Sequence, residues 1–155
     1  IAVGHCYSTR KPTIVTMGDA SAEEDYVMGA LGWASTKNLP ILFVVEDNNL
    51  SILTEKKMRR NWHMHELAQA YKVEAYDIGD DPTEISNHLT NVFKKPLLLN
   101  IRTIRKYWHS GAGIDGDYFD RYEWLKETLP FDTTKIDQIN KNKVEALWQS
   151  RLEKL

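Results

Sequence analysis

The sequence predicts an α/β fold: a doubly wound, mostly parallel sheet with flanking helices, followed by a charged C-terminal helix. Three observations lead there. Apolar runs of strand length, bounded by turn residues, recur at 13–17, 41–46, 73–78 and 97–102. Helical patterns separate them. The run Ile41-Leu42-Phe43-Val44-Val45 is apolar without alternation, as in a parallel strand whose two faces are both covered. Ligands of such sheets bind beyond the carboxyl ends of the strands.

Taken in order, the chain opens on Ile1-Ala2-Val3-Gly4, which has no initiator Met and reads as the middle of an apolar segment. A fragment, or a chain lacking its earlier part, is expected. The first strand, 13–17, runs into Gly18, and the helix 23–37 that follows carries Val27, Leu31 and Ala34 at helical spacing. Strand 41–46 comes next, then a short helix at 66–71 and strand 73–78. Asp81-Pro82-Thr83-Glu84 supplies an N-cap with proline at the first helical position. Beyond strand 97–102, Arg105-Lys106-Tyr107-Trp108-His109-Ser110 leads into Gly111-Ala112-Gly113-Ile114-Asp115-Gly116, a long functional loop rich in aromatics and glycine. Segments 119–129 and 137–155 read as surface helices. The expected division is an α/β domain at 1–104, incomplete at its N-terminus, an active-site loop at 105–118 and a helical extension at 119–155.

A chain of 155 residues suits one ordinary core. Its 20 basic and 22 acidic residues leave a net charge of -2, which offers no basic field to nucleic acid or to anionic lipid. A small ligand or a protein partner is expected instead. Cys6 is the single cysteine, so no internal disulfide forms, and a reducing, cytoplasmic setting is expected. No apolar run reaches the roughly 18 residues of a membrane span.

Two motifs carry chemistry. Gly18-Asp19-Ala20-Ser21 stands where the first strand ends and a helix begins, a place where backbone N–H groups hold anions. The plainer alternative is an aspartate capping the helix. Glu46-Asp47-Asn48-Asn49-Leu50-Ser51-Ile52 leaves the next strand at the same edge, with an Asn-Asn turn as its plainer reading. A carboxylate, a side-chain amide and a backbone carbonyl from two such strand ends make half of an octahedral Mg²⁺ shell, which phosphate oxygens complete.

Gly-Asp, a helix, Leu39-Pro40 opening an apolar strand and then Asp-Asn-Asn resembles the thiamine-diphosphate motif, and the run from Leu39 to Asn48 is similar to E1 alpha-type 2-oxo-acid dehydrogenases. Arg105 to Ser110 resembles that family's Arg-x-x-x-His-Ser segment. The resemblance implies the thiamine-diphosphate-binding fold, with Mg²⁺ held by Asp19, Asn48 (Asn49 as the alternate) and the Leu50 carbonyl. It implies cofactor contacts from Gly18, Asp19, Ala20, Ser21, Glu46, Asn48 and His109, and catalytic roles for Arg105 and His109. Ala20 replaces the usual motif glycine; a positive φ there would strain it. The activity implied is oxidative decarboxylation of a 2-oxo acid and transfer of the acyl group to a lipoyl carrier. The partners implied are a beta-type E1 subunit or domain and a lipoyl-bearing acyltransferase. Asp47 to Ile52 also resembles the transketolase branch, and a noncatalytic subunit that keeps the fold is a further alternative. The literal G-x-G-x-x-G at 111–116 lacks the strand that a dinucleotide fingerprint requires, and His63-x-His65 lacks a third metal ligand.

Overall fold

The predicted strands form within a residue or two of their expected ends in a computed structural model that describes residues 1–110, 113 and 119–153. The chain divides into two units, Ile1–Phe119 and Asp120–Leu155. In chain order the first unit runs α1 (Ala2–Thr9), β1 (Thr13–Gly18), a 3-10 turn (Ser21–Glu23), α2 (Asp25–Thr36), β2 (Ile41–Asp47), β3 (Leu50–Ser51) and β4 (Thr54–Glu55). It continues with α3 (Lys56–Arg59), α4 (Met64–Ala70), β5 (Glu74–Gly79), α5 (Pro82–Asn87) and β6 (Leu97–Arg102). β1, β2, β6 and β5 pair in that order, every pair parallel. The carboxyl ends therefore share one edge.

Side chains alternate between the two faces of the sheet. Ile41, Phe43 and Val45 of β2, with Ala75 and Leu98, pack under Cys6 of α1, Val27, Leu31 and Ala34 of α2, and Met64 and Ala68 of α4. On the other face Leu42, Ile78, Leu97, Leu99 and Ile101 meet Ile85 of α5 and Leu89, Val92 and Phe93 beyond it. Both faces of β2 are apolar for this reason, as its unalternating sequence requires. Asp81 caps α5, accepting the Thr83 N–H at 2.8 Å with Pro82 in the first turn.

The apolar start is helical: Ala2–Thr9 is α1, and its buried Cys6 lies in the core. The β3–β4 hairpin and α3 are short elements that the strand and helix patterns did not announce, and they shape the site. In the second unit α6 (Arg121–Thr128) is capped by Asp120, which accepts the N–H groups of Tyr122 and Glu123, and α7 (Thr134–Leu152) follows. Among the described residues no helix is long and apolar enough to cross a membrane.

Candidate functional site at the strand ends

The two-residue period that places Ile41, Phe43 and Val45 on the α2 face places Asp47 there too, and the parallel register extends the row across the sheet. Val45 lies level with Met17 and Asn100, and Asn100 with Asp77. Gly18 lies level with Glu46, so Asp19 and Asp47 leave neighbouring strands side by side. Asp19, Asp47 and Asn100 are all buried. Polar side chains at this depth require partners.

Their partners come from α3 and from one another. Lys56 pairs with Asp47, and Arg59 reaches both Asp19 and Glu23. Arg60, at the end of α3, stands 3.5 Å from Glu23 and stacks on Trp62. The Asn100 amide donates to Asp47 at 3.1 Å and to Asp77 at 2.7 Å, so one NH₂ group separates two carboxylates. Burial pushes the Asp47 carboxyl up, but hydrogen bonds from Lys56, Asn100 and the Asn49 N–H, with the charge of Lys56, outweigh burial and hold it below its ordinary value. Burial pulls Arg60 below the usual guanidinium range; Glu23, Asp47 and Asp19 oppose that and Arg59 adds to it.

The residues singled out from sequence divide by position. Gly18 ends β1, and a Cβ added there would meet nothing, so the space beside the motif is open. Ala20 has φ -74° and ψ -39°, ordinary right-handed backbone, so alanine is unstrained. Ser21 opens the 3-10 turn and is exposed, and the first N–H groups of such a turn have no partner within it. Asn48 is half-buried and accepts the Leu50 N–H at 3.0 Å through its carboxamide oxygen. Asn49 is exposed and left-handed, with φ 67°. Leu50 begins β3. Glu46 is exposed, one residue out of phase with Asp47 and so on the opposite face.

Arg105 donates to the Ile52 carbonyl at 2.6 Å, tying the segment after β6 to the tip of the β3–β4 hairpin. Ile52 has φ 55°, a costly conformation for a β-branched residue, and this bond helps to hold it. His109 occupies an exposed turn and, among the described residues, makes no hydrogen bond to the strand-end cluster. Gly111, Ala112 and Ile114 to Tyr118 fall outside the described residues, so most of the 105–118 loop's glycine-rich half does too. His63 and His65 stack at 5.8 Å, and no group of three or more His, Cys, Asp or Glu suited to a metal occurs among the described residues.

Sequence reasoning missed Lys56, Arg59, Arg60, Glu23 and Asn100. The available signal was the basic run Lys56-Lys57-Met58-Arg59-Arg60 set against Glu23-Glu24-Asp25. The donor set suits a hard cation carrying a diphosphate. Asp19 and Asn48 offer hard oxygen ligands at adjacent strand ends, which Mg²⁺ favours over nitrogen or sulfur. For the anion, Arg59 Nε and Arg60 Nε and Nη1 are buried N–H donors that have no hydrogen-bond acceptor.

A sequence profile described as dehydrogenase E1 component matches residues 2–128. The chain belongs to the dehydrogenase E1 component family. Solved structures share the fold. A transketolase from Campylobacter jejuni superposes with a TM-score of 0.54 at 24% identity, over 58% of this chain and 15% of that one. A candidate thiamin diphosphate-dependent enzyme from Mycobacterium smegmatis gives 0.57 at 21% identity, over 67% and 21%. The E1 family chain thus spans about a fifth or less of the length of these structures. Among curated proteins none matches its sequence significantly.

Proposed function

We propose that this chain is the Mg²⁺- and diphosphate-binding half of a thiamine-diphosphate-dependent 2-oxo-acid dehydrogenase E1 component, acting with a beta-type subunit or domain and a lipoyl-bearing acyltransferase. The observation that carries the reading is the placement of Asp19 and Asn48 just beyond the ends of the paired strands β1 and β2, with open space at Gly18 and buried guanidinium donors on Arg59 and Arg60. Membership of the E1 family supports the dehydrogenase branch over a transketolase.

When bound, thiamine diphosphate supplies the carbanion chemistry that cleaves the carbon–carbon bond beside a 2-oxo group. The chain's own residues anchor and orient. Asp19 and Asn48, with the Leu50 carbonyl, would hold the cation, and the N–H groups at Ala20 and Ser21 would donate to the anion. Gly18 leaves room for close approach, and Glu46 lies on the neighbouring strand end. Arg105 fixes the hairpin behind Leu50, and His109, on the loop, would pass a proton to or from the reacting group. A soluble, cytoplasmic setting accords with this role.

Reconstitution tests the reading. The chain is combined with a beta-type E1 partner, Mg²⁺ and thiamine diphosphate, and carbon dioxide release is followed from pyruvate, branched-chain 2-oxo acids and 2-oxoglutarate. Release from one of these acids, dependent on this chain, is expected. Release from none, with ketol transfer between sugar phosphates instead, would move the chain to the transketolase branch.

A further inference from the structure

The carboxylate expected to ligate the metal already has a cation. Arg59 bridges Asp19 and Glu23 with its side chain 13% exposed and that of Asp19 3% exposed, while Lys56 neutralises Asp47 one strand over. Three acidic groups, Asp19, Glu23 and Asp47, thus face three basic ones, Lys56, Arg59 and Arg60. A bare divalent cation entering this balanced cluster must displace Arg59, stranding a guanidinium that is largely removed from water and costly to leave uncompensated. A second feature points to what would receive it. The Arg60 side chain is 2% exposed, yet its Nε and Nη1 have no hydrogen-bond acceptor, and neither has Arg59 Nε. Buried guanidinium N–H groups without acceptors are donors that the oxygens of an anion can satisfy.

We propose that Arg59 is a built-in counter-ion of the cofactor site, occupying Asp19 in place of the metal and leaving it only for a diphosphate, so that metal and diphosphate enter together. This rests on the reading of the strand ends as the Mg²⁺ and diphosphate site and adds its regulation. The exchange is between ion pairs: the Arg59–Asp19 pair opens, the metal takes the Asp19 oxygen, and the guanidinium turns to phosphate oxygens beside Arg60. No covalent bond changes. Metal excluded without its anion and admitted with it is positive coupling between two ligands, and by linkage each tightens the other equally.

The test uses the full chain with Mn²⁺ as probe, bound metal being read from loss of the free-ion electron paramagnetic resonance signal, with and without inorganic pyrophosphate. The unaltered chain should take up Mn²⁺ more tightly with pyrophosphate than without it, after allowance for the complex the two form in solution. Arg59→Gln should bind Mn²⁺ alone about tenfold more tightly, the shift that loss of an ion-pair competitor worth one decade produces, and its gain from pyrophosphate should shrink. Arg59→Lys keeps the charge and cannot bridge both carboxylates; it should lie between the two, and it serves as the test if the glutamine variant does not fold by circular dichroism. Equal Mn²⁺ affinity without pyrophosphate in the unaltered chain and in the folded Arg59 variants would overturn the proposal while leaving the site reading standing. Failure of every protein to bind Mn²⁺ even with pyrophosphate would overturn both.

Discussion

One sheet edge carries two clusters of the same chemistry in different solvent. At the β1–β2 end the Arg59–Asp19 pair is 13% and 3% exposed, whereas at the β5–β6 end Arg102 meets Asp77 at 3.2 Å with exposures of 61% and 27%. Water screens the second pair and lets its partners part at little cost. The first is held where charges interact strongly and where an unmatched one is expensive. Asn100 joins the two, donating to Asp47 on one side and Asp77 on the other. The same residue types can thus stand in water at one end of an edge and form the proposed ion site at the other; burial makes the difference.

The largest effect expected on stability is at the hinge between the clusters. Asp47→Ala strands Lys56 and takes one of the two acceptors of the Asn100 amide, and should cost about 3–5 kcal/mol, as for breaking a buried pair, read from the urea midpoint. A cost under about 1 kcal/mol, the size of an exposed pair, would mean that the buried end is no different from the open one.

Acid sharpens the same comparison. The folded Asp47 carboxyl titrates below its ordinary 3.8, so the unfolded chain binds the proton more readily, and the stabilisation is fully present above that value. It is lost as pH falls through the lower folded value. Acid titration of stability should therefore show a loss below pH 3.8 that is absent in Asp47→Asn. Identical acid limbs in the two proteins would contradict the assignment.

The smallest effect belongs to the exposed pair. Arg102→Ala should change stability by no more than about 0.5 kcal/mol, and high salt should erase even that. A loss of 2 kcal/mol or more would abolish the contrast on which the site is argued.

The two ends also differ in how far the sequence announces them. Four strands were legible because continuous apolar runs such as Ile41 to Val45 have few other ways to be buried, and Asp19 and Asn48 because short polar motifs follow such runs directly. The cations were not. Lys56 to Arg60 reads as a solvated charge run, and what takes it inside is contact with Glu23 and Asp19, 36 and 40 residues earlier in the chain. The hairpin that aims α3 there turns at Ile52-Leu53, without the Gly, Asn or Asp by which tight turns are read. It is held from outside, by Arg105, across 53 residues. Likewise the harmlessness of Ala20 follows from its backbone angles, which the motif alone does not state.

The claim that the buried end anchors a metal-bound diphosphate is tested most directly by calorimetric titration of thiamine diphosphate into the full chain with Mg²⁺, repeated with Mg²⁺ withheld and with Asp19→Ala. Binding is expected to be weak in the chain alone, since half of such a site belongs to a partner, but to require Mg²⁺ and to vanish in the variant, which lacks the one charged ligand of the shell. Binding of equal strength in Asp19→Ala, or without Mg²⁺, would contradict the account.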